Sequence, residues 1–441
     1  ISAPDHPAML WKKNQEIDAW VTRFTVGEDY RWDTLLLPYD IRGSRVQAWS
    51  LAEQGLLTEQ EAQSITSALD RLEQAVAAGE VTVRPEDEDC HTVIELYLTQ
   101  ELGDVGKKIH TGRSRNDQVL VALRLFVLDR LREAGDGVRM LALALCDFGE
   151  RYRQLLIPGY THFQPAMPTT AGLWALGYAE LLASDLQTLR HAHSQVSTSP
   201  LGSAAGYGAP YLEIPREEQA RRLGFERVQL HVPAVQLSRG KLELEALHAV
   251  VQVASTLNRL ASDLVLFNSR EFGFVRLPAR FCTGSSIMPQ KQNPDVLELV
   301  RASYHRVLAE MNLLLTLPSN LPSGYHRDLQ LTKEAVMRGC LVGLDLLQAM
   351  NALVPEVEFD AERAAAAITP ELFATARALE KVRSGTPFRD AYREAASEID
   401  GIAIPQSEEA LAAYRVDGYP GRERPDLVRD QLTKHEAWLG R

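Results

Sequence analysis

The stretch Leu120-Val121-Ala122-Leu123-Arg124-Leu125-Phe126-Val127-Leu128-Asp129-Arg130-Leu131 decides how this chain folds. From it, Leu120, Leu123, Val127, Leu131, Ala134, Val138, Leu141, Leu145 and Phe148 advance by steps of three and four. That spacing lines one stripe of an α-helix with apolar side chains and suits helix-on-helix packing. The same rhythm returns from Ala175 to Val196, from Leu244 to Phe267, from Leu297 to Leu314 and roughly from Leu329 to Leu353. Each run is about 20–30 residues, against a usual helix of ~11–12. Helices this long in one chain predict an all-α fold built on an extended bundle.

Proline and glycine separate the runs, at Ile157-Pro158-Gly159, at Ser199-Pro200-Leu201-Gly202 and from Leu317-Pro318 to Pro322-Ser323-Gly324. Alternating strand patterns are rare. Residues 1–112 read as a less regular, mostly helical N-terminal domain, with a shorter helical pattern from about Thr58 to Ala77. Residues 113–357 form the central bundle. Residues 358–441 change composition and read as a small C-terminal helical domain, with short helices over Ala361–Ala367 and Leu372–Ala395.

At 441 residues the chain exceeds what one compact core holds, which agrees with several domains. No apolar run reaches the ~18 residues of a membrane span, and the first residues lack the basic and apolar regions of a signal peptide. The net charge of −12 argues against a nucleic-acid partner. The four cysteines, Cys90, Cys146, Cys282 and Cys340, lack metal or disulfide spacing, so a reducing, cytoplasmic setting is expected.

Three polar islands interrupt the apolar patterns. The first, His110-Thr111-Gly112-Arg113-Ser114-Arg115-Asn116-Asp117-Gln118, precedes the first long helix. Its hydroxyls and carboxylate suit capping, free helix N–H groups attract anions, and two arginines can grip carboxylates in bidentate fashion. Taken alone it reads rather as a capped helix start with solvated arginines. The second, Gly159-Tyr160-Thr161-His162-Phe163-Gln164-Pro165-Ala166-Met167-Pro168-Thr169-Thr170, carries His162, which titrates near neutrality without help. Packing at a bundle end is the alternative for that histidine. The third, Thr283-Gly284-Ser285-Ser286-Ile287-Met288-Pro289-Gln290-Lys291-Gln292-Asn293-Pro294, puts hydroxyls, a lysine and a carboxamide in a small-residue loop suited to closing over an anion. A plain connector is the other reading. His191 and His193 lie on different faces of a helix and read as structural. Asp87-Glu88-Asp89-Cys90-His91 reads as a solvated or hydrogen-bonded turn rather than a metal site.

The islands pose a geometric problem. A helix of ~30 residues is ~45 Å long. Islands one and two are joined by such a helix, so they can converge only if subunits pack antiparallel and share sites. A symmetric oligomer is therefore expected.

The third island resembles the signature of the fumarase/aspartase superfamily. Thr111-Gly112-Arg113-Ser114-Arg115-Asn116-Asp117-Gln118-Val119 resembles the mark of its argininosuccinate lyase branch. Tyr39-Asp40-Ile41-Arg42-Gly43-Ser44 and Gly324-Tyr325-His326-Arg327-Asp328-Leu329-Gln330 extend the similarity across nearly the whole chain. The resemblance implies β-elimination of argininosuccinate to arginine and fumarate, without metal or organic cofactor. It also implies a homotetramer whose core holds twenty helices. It implies Ser285 as general base, Lys291 and Asn293 at the carboxylate that gains charge, and His162 paired with Glu298, as proton donor or orienting group. Arg113, Ser114, Arg115, Asn116, Thr161, Tyr325, Gln330 and Lys333 fall on substrate-binding positions, and Asp89 and His91 on a supporting segment.

Some residues depart from that pattern. Leu10-Trp11-Lys12-Lys13 and Phe24-Thr25-Val26-Gly27 stand where a Leu-Trp-Gly-Gly-Arg-Phe segment and a substrate-contacting serine are usual, so Gly27 takes the serine's place. Gln292 replaces a second loop lysine. Ser238-Arg239-Gly240-Lys241 stands for a Ser-x-Arg-Asp segment in which Arg239 would keep the arginine. A lyase for another N-succinyl amine, or a crystallin-like structural protein, are the competing readings.

Overall fold

The computed structural model describes residues 18–440, so Leu10-Trp11-Lys12-Lys13 lies outside the described residues. In chain order the first helices are α1 Ala19–Val26, α2 Asp29–Glu53, α3 Glu59–Ala77, α4 Cys90–Leu102, α5 Asp104–Lys107 and α6 Arg115–Arg151. The strands β1 Leu156–Thr161 and β2 Gln164–Thr170 follow, then α7 Ala171–Val196, β3 Thr198–Ser199, α8 Arg216–Leu223, β4 Arg227–Val228, α9 Val232–Leu237 and α10 Lys241–Asn268. Next come β5 Val275–Arg276, β6 Thr283–Gly284, β7 Gln292–Asn293, α11 Asp295–Thr316 and α12 Leu331–Leu353. The chain ends with β8 Glu358–Phe359 and the short helices α13 Ala361–Ala366, α14 Ala374–Arg383, α15 Phe388–Ser397, α16 Ser407–Ala412, α17 Pro425–Thr433 and α18 Glu436–Leu439. The class is all-α, and the strands pair only as two-stranded ribbons among the described residues. No described helix is long and apolar enough to cross a membrane.

Two compact units divide the chain, one of residues up to Phe126 with Ser199–Gln236, the other of Val127–Thr198 with the chain from Leu237 onward. In the first unit, α3 opens as its sequence predicts. The Thr58 hydroxyl accepts the Glu61 N–H at 3.2 Å while the Glu61 carboxylate accepts the Thr58 N–H at 2.8 Å, a reciprocal cap. The region before it is helical as expected but more regular than its sequence suggests, because α2 is a 25-residue helix. Its inner face hides from a search for apolar periodicity. Asp33, Asp40, Ser44, Gln47 and Ser50 are buried alongside Leu36, Leu37 and Ile41, and Pro38 sits inside the helix.

The second unit holds the bundle. α10 packs against α7, α11 and α12. α12 approaches α10 closely through Gly339 and Gly343, one turn apart. A methyl at Gly339 would lie 2.3 Å from the Leu247 side chain, and one at Gly343 2.4 Å from that of Val250, so only hydrogen fits there. The later part of α6 joins the same core: Gly149 faces Leu176 of α7, and the Gly137 carbonyl accepts the Asn351 amide at 2.9 Å. Phe148, Tyr152, Trp174, Phe267 and Phe359 pack in tilted and edge-to-face contacts at one end of this core. The short helices expected over Leu372–Ala395 are α14 and α15, parted where Gly385 takes φ +101° and Pro387 follows.

Asp185 of α7 is a buried carboxyl in this bundle, with the Thr256 hydroxyl of α10 donating to it at 2.7 Å. Burial pushes its pKa up to about 6 from the ordinary 3.8, and the single hydroxyl offsets only part of that. The folded chain therefore holds this proton more tightly than the unfolded chain. Stability falls as pH rises from about 4 to about 6, and the full cost is present above that window. Asp185→Asn keeps an acceptor for Thr256 and removes the charge. It is expected to stabilise the protein at pH 8 by about 1–2 kcal/mol, allowing for partial hydration, and by much less at pH 4. Thermal melts at both pH values check this; equal shifts, or a loss at pH 8, would contradict it.

Candidate active site

The first island is built in the first unit around a buried ion cluster. The Asp40 carboxylate, on α2, meets His91 Nδ1 at 2.6 Å and the Arg113 guanidinium at 3.4 Å, and Arg113 also donates to the Ser44 hydroxyl at 3.1 Å. Burial alone would raise the Asp40 pKa, but the charges of His91 and Arg113 outweigh it and hold the group low. Burial likewise opposes charging His91, yet Asp40, aided by Asp89 and Asp33, raises its pKa. Of the solvated or hydrogen-bonded turn expected at Asp87–His91, the hydrogen-bonded form is the one present: Asp87 accepts from Arg84, Cys90 opens α4, and His91 is buried against Asp40. Asp40, Cys90 and His91 could bring three ligand atoms within 4.8 Å of one another. Arg113 and His91 already balance that carboxylate, which leaves little attraction for a cation.

Around this cluster the helix start is tied down. Asp117 is fully buried; it accepts the N–H groups of Ser114, Gly202 and Ala204 at 2.9, 3.1 and 3.0 Å. Burial still leaves its pKa raised. The Ser114 hydroxyl accepts the Asn116 N–H at 3.3 Å, and Asn116 is half-buried. Arg113 is turned inward and committed to Asp40 and Ser44. Arg115 keeps a partly open guanidinium, steadied by Asp89 at 2.9 Å, Glu88 at 3.4 Å and the Thr92 hydroxyl at 2.9 Å. Asp89 also caps α4 by accepting the Thr92 N–H at 2.8 Å.

The second island is a β-hairpin, which its proline-rich sequence conceals. Strands β1 and β2 pair antiparallel from Leu156↔Thr170 to Thr161↔Gln164, leaving His162 and Phe163 as the two-residue turn. Both hold positive φ, 55° and 57°. A turn of this hand normally takes Asn and Gly, so two bulky residues there carry strain of the sort found at functional sites. The turn exposes His162 and leaves Phe163 75 % exposed.

The third island is pinned at its stem and open at its tip, within the second unit. Thr283 pairs with Asn293 and Gly284 with Gln292 across β6 and β7, and the Thr283 hydroxyl donates to Asp295 at the start of α11. Above the stem, the Ser285 oxygen accepts the Met288 N–H at 3.1 Å and the Ile287 N–H at 3.4 Å. Two amide dipoles aimed at one hydroxyl oxygen favour its alkoxide. Lys291 is exposed and Asn293 half-buried, while Ile287 is 83 % exposed. Glu298, on the first turn of α11, lies 3.9 Å from Arg301. Among the described residues no hydrogen bond or ion pair joins His162 to Glu298, Ser285 or Lys291.

The remaining candidates also belong to the second unit. Lys333 is buried on α12 and Gln330 is half-buried one turn before it. Tyr325 lies under the buried Arg239, whose guanidinium is 4.9 Å from the ring centre. In the first unit, Gly27 has a structural reason to be glycine: it caps α1 at φ +57°, donating its N–H to the Arg23 carbonyl at 3.0 Å. His193 is buried against the Trp438 ring, which lowers its pKa to about 4, while His191 is exposed near Glu245. The two behave as structural histidines.

Comparison with known proteins bears on this geometry. The lyase family profile matches residues 13–309. The argininosuccinate lyase of Thermotoga neapolitana is 47% identical over 389 residues, 88% of this chain and 98% of that protein. That of Sorangium cellulosum is 44% identical over 429 residues, 97% and 99% of the two chains. Among solved structures, an EDDS lyase in complex with formate matches 97% of this chain and 92% of its own with a TM-score of 0.78 at 24% identity. The class II fumarase of Schistosoma mansoni matches 89% and 95% with a TM-score of 0.72 at 16% identity. The solved structures share the fold, and the sequence relatives extend the likeness through all three polar islands. The chain belongs to the argininosuccinate lyase family.

Proposed function

We infer that the protein converts argininosuccinate to arginine and fumarate by β-elimination. The observation that carries this reading is the Ser285 oxygen, held by two backbone N–H donors in a loop anchored at its stem. As base, Ser285 takes a proton from the succinyl carbon beside a carboxylate. The electron pair moves into that carboxylate, where Lys291 and Asn293 offset the gathering charge. The pair then returns to form the double bond of fumarate as the C–N bond breaks. The leaving guanidine nitrogen takes a proton to become the guanidinium of arginine, with His162 as donor or orienting group and Glu298 as the carboxylate that pairs with it in the assembled site. No electron transfer is involved, so the sequence of steps needs no redox cofactor.

Substrate is gripped by Arg115, Ser114 and Asn116 from the first island, by Thr161 beside the histidine, and by Tyr325, Gln330 and Lys333. Arg113 acts through Asp40 rather than on the substrate, since its guanidinium is committed there. Closing the loop would bury the exposed Ile287 and Met288 and expel water, which strengthens every charge interaction inside. Because α6 has 37 residues and so spans ~55 Å, the first island is completed by other subunits, in a homotetramer with shared sites. The free cysteines fit a cytoplasmic setting.

Fumarate formation followed by ultraviolet absorbance tests the reaction. Argininosuccinate is expected to give fumarate, and other N-succinyl amines little; no fumarate from argininosuccinate, or preference for another amine, would replace this reading. Ser285→Ala is expected to slow turnover by roughly a hundredfold to ten-thousandfold with the assembly mass unchanged. Near-normal turnover in that variant would remove Ser285 as the base.

A further inference from the structure

Behind the His162 turn lies an open cavity of about 340 Å³, within the size range of small-molecule sites. Its wall includes Tyr160, His162, Phe163, Trp174, Asp263 and Phe267. Asp263 is the one carboxylate among the lining residues, and neither lysine nor arginine lines the space. Trp174 Nε1 and the Tyr178 hydroxyl donate to the same oxygen, Asp263 Oδ2, at 2.9 and 2.7 Å. Those bonds fix the carboxylate against α7 and leave Oδ1 without a hydrogen-bond partner among the described residues. Arg259, one turn earlier on α10, is near enough to act on the Tyr178 phenol but forms no ion pair with Asp263 among the described residues.

We propose that this cavity is a binding site for a small organic cation, a guanidinium or alkylammonium head held by Asp263 Oδ1 against the Trp174, Tyr160 and Phe267 rings. A fixed negative oxygen beside aromatic rings favours a cation and repels an anion. The site is separate from the elimination chemistry assigned to Ser285 and Lys291. It touches that chemistry at one point, because the residues of the His162 turn form part of its wall. A cation seated there packs against the strained turn that displays His162. The site therefore offers a way for a cationic metabolite to bias His162 without occupying the succinyl position.

Isothermal titration of the whole protein tests the proposal with methylguanidinium, methylammonium and the neutral, similarly shaped N-methylurea. Saturable binding of one or both cations is expected, at least about tenfold tighter than the urea. Asp263→Asn, which keeps an acceptor for Trp174 and Tyr178, is expected to weaken cation binding by about tenfold or more. Tyr178→Phe keeps the charge and is expected to retain it. Leu266→Trp fills the cavity from another wall and is expected to block binding, which decides the matter if Asp263→Asn fails to fold. Absence of saturable cation binding, equal binding of the urea, or binding unchanged in both Asp263→Asn and Leu266→Trp would overturn the site. None of these results depends on fumarate formation by the wild-type protein, so the site and the reaction can fail separately.

Discussion

The length of α6 constrains everything that follows it. One unbroken helix of 37 residues, ~55 Å from end to end, carries the first polar island at its start and leads into the His162 hairpin at its finish. No packing of side chains shortens a helix. The shared site proposed above rests on this length rather than on any single residue. The same length supplies the apolar stripe on which the bundle assembles.

The proposed catalytic groups are set by backbone geometry more than by side-chain contacts. Ser285 is prepared by the N–H groups of Ile287 and Met288, and His162 is displayed by a turn that bulky residues rarely occupy. Arg115 is steadied by Asp89 and Glu88, while the buried His91–Asp40–Arg113 cluster braces the segment from which it projects. Such a cluster is costly to desolvate and strongly destabilising to break. Its natural role is to fix the helix start in one position.

The long helices were legible because their buried faces are apolar, and α10 and α12 end within a few residues of where their periodicity fades. α2 was illegible for the opposite reason, since its inner face is part polar and no local pattern reveals that Asp40 waits for His91 fifty-one residues away. The β1–β2 hairpin was missed because Pro158, Pro165 and Pro168 argue against strand, and a two-stranded ribbon tolerates them at its edges. The candidate site residues stand out in the sequence as chemistry-bearing islands and as a resemblance. Their orientation was not: nothing in Thr-Gly-Arg-Ser-Arg says that Arg113 turns inward while Arg115 stays partly open. Gly27, which looks like a lost contact, is explained by the positive-φ cap it forms on α1.

The central claim, that the two ends of α6 serve different sites, is open to a direct measurement. His162→Asn and Ser285→Ala variants, each inactive alone, can be unfolded, mixed in equal amounts and refolded, with hybrid assemblies counted by native mass spectrometry. The shared-site account predicts that hybrids recover roughly a quarter of wild-type fumarate formation, the share of sites that draw both intact residues from different subunits. Abundant hybrids with no activity would contradict it.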